Sequence, residues 1–150
     1  MAVDCKPLTI YGKDMVSFTV DDREVIGLWE GDDVITVERQ TDLGTPMTGA
    51  DGSTIVSFTS DQSALLTVKL QANSAANTYF EKWVKARRMG STRLLRVAVR
   101  DTATGEGGGC TSAVIIKEPS KSWGGTATER EWQIFCNCWQ ENDITYNPAA

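Results

Sequence analysis

The 150-residue sequence contains no histidine. That absence removes the usual base of Ser-His-Asp and Cys-His catalysis, and with it the commonest metal ligand. No apolar run approaches the ~20 residues that a membrane-crossing helix needs, so membrane insertion is not expected. Met1 to Lys13 holds Asp4, Lys6 and Lys13 but no apolar stretch of about 7–15 residues, and a secretory signal is not expected there. With 4 Pro and 13 Gly, the chain is neither collagen-like nor of low complexity. No self-similarity is visible at the about 20–50-residue periods of solenoids. What is there, 41% hydrophobic and 23% charged residues, suits one domain spanning 1–150, since domains usually take ~100–200 residues.

Lys and Arg number 15 against 20 Asp and Glu, for a net charge of −5. Such a chain repels phosphate backbones as a whole, and specific nucleic-acid binding is not expected. The charges are segregated. Lys82, Lys85, Arg87, Arg88, Arg93, Arg96 and Arg100 follow one another with no acid between them, whereas Asp14 to Asp42 holds nine acids against Arg23 and Arg39. Two complementary, non-identical patches are what a head-to-tail contact between copies requires. The same pattern is equally met by two solvated faces, or by the patches meeting within one chain.

Alternating side chains predict strands over Met15–Val20 and Val34–Glu38, with a further short strand within Val25–Trp29 and turns at Asp21-Asp22 and Glu30–Asp33. Glu38 to Ser53 is rich in Gly, Thr, Asp and Pro and reads as a long loop, of a length that usually carries function or is ordered by a partner. Thr54–Thr59 and Ala64–Leu70, joined by Ser60-Asp61-Gln62-Ser63, read as a hairpin. In its second strand Ala64, Leu66, Val68 and Leu70 form the core face, opposite Leu65, Thr67, Lys69 and Gln71. Ser74 is a suitable N-cap, and Ala76, Tyr79, Phe80, Trp83 and Val84 recur at helical spacing, which predicts a helix over about 75–89 with Phe80 and Trp83 as core anchors. Arg87 and Arg88 suit its last turn and Gly90 its end. Strands are then predicted at Arg93–Arg100, Ser112–Lys117 and Glu131–Trp139, with a flexible Thr104–Gly109 connection. The order indicates a mainly β fold: an antiparallel sandwich or small barrel with one packed helix.

Four cysteines, Cys5, Cys110, Cys136 and Cys138, lack the paired hooks of a zinc site. Buried inert thiols are one reading of them. Disulfides are the other, with Cys5 near the N-terminus and Cys110 on a Gly-rich loop placed to reach a neighbouring subunit after release from a reducing cytosol. Gly105–Gly109 is not followed by Gly-Lys-Ser/Thr and leads into no helix, so it is not read as a phosphate cradle. The carboxylate pairs Asp21/Asp22 and Asp32/Asp33 fall in turns. No catalytic set, cofactor site or metal site is indicated. Trp123, between Ser122 and Gly124, is the tryptophan most expected to be exposed and to touch another chain.

Residues 45–70, TPMTGADGSTIVSFTSDQSALLTVKL, followed by the Ser74–Arg88 helix, resemble the tail tube proteins of contractile-tailed bacteriophages, with a Gly49-Ala50-Asp51-Gly52 turn closing the loop. The similarity extends over roughly Val34 to Arg100. It implies a barrel-like subunit that forms six-membered rings stacked into a hollow tube, enclosed by a sheath protein and threaded by a tape-measure protein. DNA would pass through without specific binding. The protein would be made in the host cytoplasm and reside in the virion tail. On that resemblance the long loop, with Glu38, Gln40, Asp42, Thr45, Met47 and Asp51, is expected to contact the adjacent ring. Thr67, Lys69 and Gln71 are expected to line the bore, and the hairpin edges to extend a neighbour's sheet. Four cysteines are not a feature the family requires, so inter-subunit disulfides through Cys5, Cys110, Cys136 or Cys138 are an expectation of this sequence alone. The competing readings are a ring-forming tube protein of a contractile injection or secretion machine, and a monomeric carbohydrate-binding module using Trp123.

Overall fold

The computed structural model describes residues 8–141. A single 3₁₀ turn, Lys13–Met15, leads into β1 (Val16–Val20) and β2 (Arg23–Glu24), joined through Asp21 and Asp22 with φ of 52° and 66°. Two consecutive residues at positive φ make the tight turn whose twist matches a right-handed hairpin. β3 (Ile35–Arg39), β4 (Gly44–Thr48), β5 (Thr54–Phe58) and β6 (Ala64–Leu70) precede helix α1 (Ala75–Arg88). β7 (Leu95–Asp101), β8 (Gly107–Lys117), β9 (Arg130–Cys136) and β10 (Gln140–Glu141) follow it.

Among the described residues, one eight-stranded antiparallel sheet runs β2-β1-β7-β8-β9-β6-β3, with β10 also on β8. Register puts the buried apolar side chains of the central strands on one face. Across β8, β9 and β6, Ala113 faces Cys136 and Cys136 faces Ala64, while Ile115, Ile134 and Leu66 form the next row. Phe18 and Val20 extend the face opposite Val99 and Val97. The segment after β2 stitches the two ends of this sheet together. Val25 donates its amide to the Phe18 carbonyl at 2.8 Å, and three residues later Leu28 bridges Leu70 on β6. Sheet closure of this kind is how small β domains remove unpaired edges.

Helix α1 covers the apolar face. Ser74 caps it by accepting the Ala76 N–H at 3.3 Å, Lys85, Arg87 and Arg88 occupy its last turn, and Gly90 at φ 101° ends it. Phe80 meets Trp132 edge-on at 5.3 Å between ring centres. Trp132 donates its indole N–H to Asn77 Oδ1 at 2.9 Å, and Asn77 Nδ2 donates to the Gln71 carbonyl at 2.7 Å. Trp83, buried, donates to the Arg93 carbonyl at 3.0 Å. Each buried polar tip therefore has a partner, which is what allows these large groups inside. Among the described residues no helix is long and apolar enough to cross a membrane.

Three expectations are corrected by the pairing. β6 does not form a hairpin with β5: its partners are β9 on one side and β3 on the other, while β5 pairs with β4. The Glu38–Ser53 segment is not one long loop, because Glu38 and Arg39 finish β3 and Gly44–Thr48 is a strand. Gly107, Gly108 and Gly109 are not a flexible connection but the start of β8, where a Cβ on Gly108 would lie 2.7 Å from the Trp139 indole nitrogen. The glycines there admit the tryptophan.

Candidate assembly surfaces

β4 and β5 pair only with each other among the described residues and stand off the main sheet as an arm. Thr41 Oγ1 donates to Asp61 Oδ2 at 2.5 Å across its base, and the Thr59 amide reaches the Leu43 carbonyl at 3.0 Å. At its tip Gly52 takes φ 90°, and Asp51 accepts the Ser53 amide and hydroxyl, both at 3.0 Å. These bonds, the amide foremost, hold the Asp51 carboxyl below its ordinary range. Register places Met47 beside Ile55 on one face, and Pro46 and Val56 beside Gly44 and Phe58 on the other. Leu43, Met47, Ile55 and Phe58 are 73%, 66%, 62% and 72% exposed. A two-stranded ribbon with apolar groups bare on both faces is marginal alone and marks a surface that another chain covers.

The residues expected at the ring contact divide between two places. Thr45, Met47 and Asp51 belong to the arm. Glu38 lies on the outer face of β3 opposite Leu65, Gln40 is tied by its amide to the Ser63 carbonyl at 3.2 Å, and Asp42 lies in the turn before the arm. Ile55, Val56 and Phe58, which carry most of the arm's apolar surface, went unmarked because alternation gave them the same pattern as a half-buried strand.

The outer face of the sheet is polar in its middle. Thr67 lies between Thr36 and Gln133, and Lys69 lies opposite Glu131 with its ammonium 3.2 Å from Asp33. That carboxylate holds Lys69 protonated above the ordinary lysine value. Thr67 and Lys69 thus share one face, as their spacing requires, but Gln71 departs from them: it follows the strand and borders a groove beside Gly27. Since both edges of β6 are occupied, it cannot extend a neighbour's sheet. The outer edge of β3 is unpaired among the described residues and can.

Cys110 and Cys136 lie in the core at 5% and 0% exposure. Burial first, and the neighbouring Cys110 second, push the Cys136 thiol up to about 12. Neither can reach another chain, so both are withdrawn from the expected inter-subunit disulfides. Cys138 is exposed, its sulfur 3.2 Å from Gln62 Oε1. Cys5 lies outside the described residues. Trp123 is 82% exposed.

The acidic and basic segments meet within the chain at two points. Arg93 pairs with Asp21 at 2.8 Å and Arg96 with Asp22 at 2.6 Å. Arg88 pairs with Glu118 at 3.0 Å. Among the described residues no ion pair engages Lys82, Lys85 or Arg87, nor Glu24, Glu30 or Asp32.

A curled antiparallel sheet thus carries one helix on its apolar face and a free-standing apolar arm. Comparison with solved structures places the same fold in three proteins. The anti-feeding prophage cap, a tube-terminating cap, superposes with TM-score 0.63 at 9% identity, over 93% of this chain and 95% of that one. The sheath/tube terminator of the extracellular contractile injection system PVC gives 0.61 at 13%, over 94% and 99%. A chain of the PVC sheath-tube complex in its extended state gives 0.63 at 11%, over 90% and 93%. No curated protein matches by sequence. The chain belongs to the bacteriophage PhiTE tail tube protein family, whose family model matches residues 16–142. It is a structural protein of the phage tail.

Proposed function

We propose that copies of this chain assemble into six-membered rings that stack into the hollow tail tube, inside a contractile sheath and around a tape-measure protein, and that DNA leaves the capsid through the bore. The arm carries this reading. Among the described residues nothing covers its apolar side chains, and a stacked copy supplies that cover. The unpaired edge of β3 serves the ring contact by strand addition, which satisfies its backbone groups. Thr67 and Lys69 fit a bore wall that offers few fixed cations to passing phosphates, and the acidic net charge suits release over retention. The role is structural rather than enzymatic.

A second reading has support of its own: two of the similar structures are tube terminators, which end a tube rather than extend it. Purified protein, concentrated and imaged by negative stain alongside gel filtration, separates the alternatives. Tubes of stacked rings are expected. Isolated rings that never stack favour the terminator, and a chain that stays monomeric at every concentration and ionic strength removes both in favour of a solitary binding module built around Trp123.

A further inference from the structure

Among the charges without ion pairs in the described residues, two groups lie at opposite ends of α1. At its N-terminal end a groove of about 480 Å³ runs between the start of β1 and the segment that stitches the sheet. Ile26, Leu28 and Trp29 give it an apolar wall, and Glu24, Glu30 and Asp32 its acidic rim. Ile26 is 76% exposed, unusual for isoleucine beside a core. The groove is fixed to the helix start, since Ser74 Oγ donates to the Ile26 carbonyl and the Gln71 amide donates to Gly27 at 2.7 Å. At the far end Lys82, Lys85 and Arg87 lie on the exposed side of α1, followed by Met89 at 89% exposure. Fourteen helical residues at ~1.5 Å each put the two ends about 20 Å apart. A chain cannot bring its own helix end to its own groove.

We propose that the groove receives the C-terminal turn of α1 from a second copy, Met89 entering between Ile26 and Trp29 while Lys85 and Arg87 face Glu30 and Asp32. Two different patches on one molecule, separated by the length of a rigid helix, make a head-to-tail contact that closes a ring or propagates along a tube. Methionine suits the apolar wall because its unbranched thioether adapts to an irregular surface. The exposed rim charges steer and orient the approach and reject the reversed arrangement more than they add affinity. The inference rests on the tube reading and names the surface through which copies meet.

Three variants test it: Glu30→Lys with Asp32→Lys, Lys85→Glu with Arg87→Glu, and one chain carrying all four substitutions. Circular dichroism and thermal melting first establish that each folds. Sedimentation velocity and negative stain then give the concentration at which half of the protein is assembled. Each reversal is expected to raise that concentration by at least about tenfold, an effect that weakens at high salt, and the fourfold swap is expected to restore most of it. Reversals that assemble like the parent overturn the contact and leave the tube reading standing. So do reversals that alter melting but not assembly, which give the groove to a segment of the same chain. A swap as defective as either reversal overturns the contact too, and a parent chain that never assembles overturns both.

Discussion

Asp21 ties three elements together through one carboxylate. It accepts the Tyr79 hydroxyl from α1, the Arg93 guanidinium at 2.8 Å and the Arg96 amide at 3.0 Å from the approach to β7 and from the strand itself. Arg23 and Arg93 sit 5.5 Å and 5.9 Å from the Tyr79 ring centre. Burial alone would push the Asp21 carboxyl up, but the Tyr79 hydroxyl, the Arg96 amide and the two guanidinium groups together hold it below the ordinary 3.8. A carboxyl with a lower folded than unfolded value binds its proton less readily when native. Its contribution is therefore complete above the ordinary value and is lost as pH falls through the lower, folded one. Asp21→Asn keeps the shape and tolerates the positive φ, while it removes the charge and turns one of the two accepting oxygens into a donor. Urea unfolding at neutral pH should show a loss of about 1.5–3 kcal/mol, the range for hydrogen bonds to a charged group. The parent's stability should fall more steeply than the variant's as pH drops below 4. Asp22→Asn, whose side chain is 82% exposed, should cost under ~1 kcal/mol. Equal losses at the two positions would remove the special role of Asp21.

At the scale of elements, the stacking role proposed for the arm can be tested apart from folding. Met47, Ile55 and Phe58 touch no part of the buried cluster, so replacing all three with threonine, itself a good strand former, removes apolar surface without touching the core. Thermal melting should move by no more than a few degrees while stacking is abolished in negative stain; a collapse in melting would assign the arm to the fold instead. The arm is also where sequence reading stopped. Helix α1 was legible to within a residue, because its cap, its spacing and its terminal glycine are all local signals. The alternation of β6 was legible for the same reason. Its partners were not: Leu66 faces Ile134 on β9, and nothing near residue 66 points to residue 134. The polar Ser60–Ser63 link resembled a hairpin turn, yet it is the corner at which the chain leaves the arm and enters the sheet. In β4, Gly44, Pro46 and two threonines concealed a strand, since their composition is that of a loop and only pairing with β5 defines it.

At the scale of the whole molecule, the thiols among the described residues lie at two depths, which makes them reporters of global opening. Cys110 on β8 and Cys136 on β9 lie in the middle of the sheet path, between β7 and β6, with Leu95, Ala113 and Ala64 around them. Cys136 is flanked by β8 and β6, so exposing it requires β9 to part from a neighbour, whereas Cys110 is flanked by β7 and lies next to the residues of β8 that pair with β10. Cys138 lies outside that cluster, beyond the end of β9. In a Cys5→Ser chain, a water-soluble aromatic disulfide should therefore titrate Cys138 at once in native buffer, while the buried Cys110 and Cys136 react at a rate that follows global unfolding and rises with urea along the same slope. Oxidised assemblies of that chain should show no covalent links that depend on Cys110 or Cys136. Rapid native labelling of either would mean that the sheet opens locally and that these thiols report a local event rather than global unfolding.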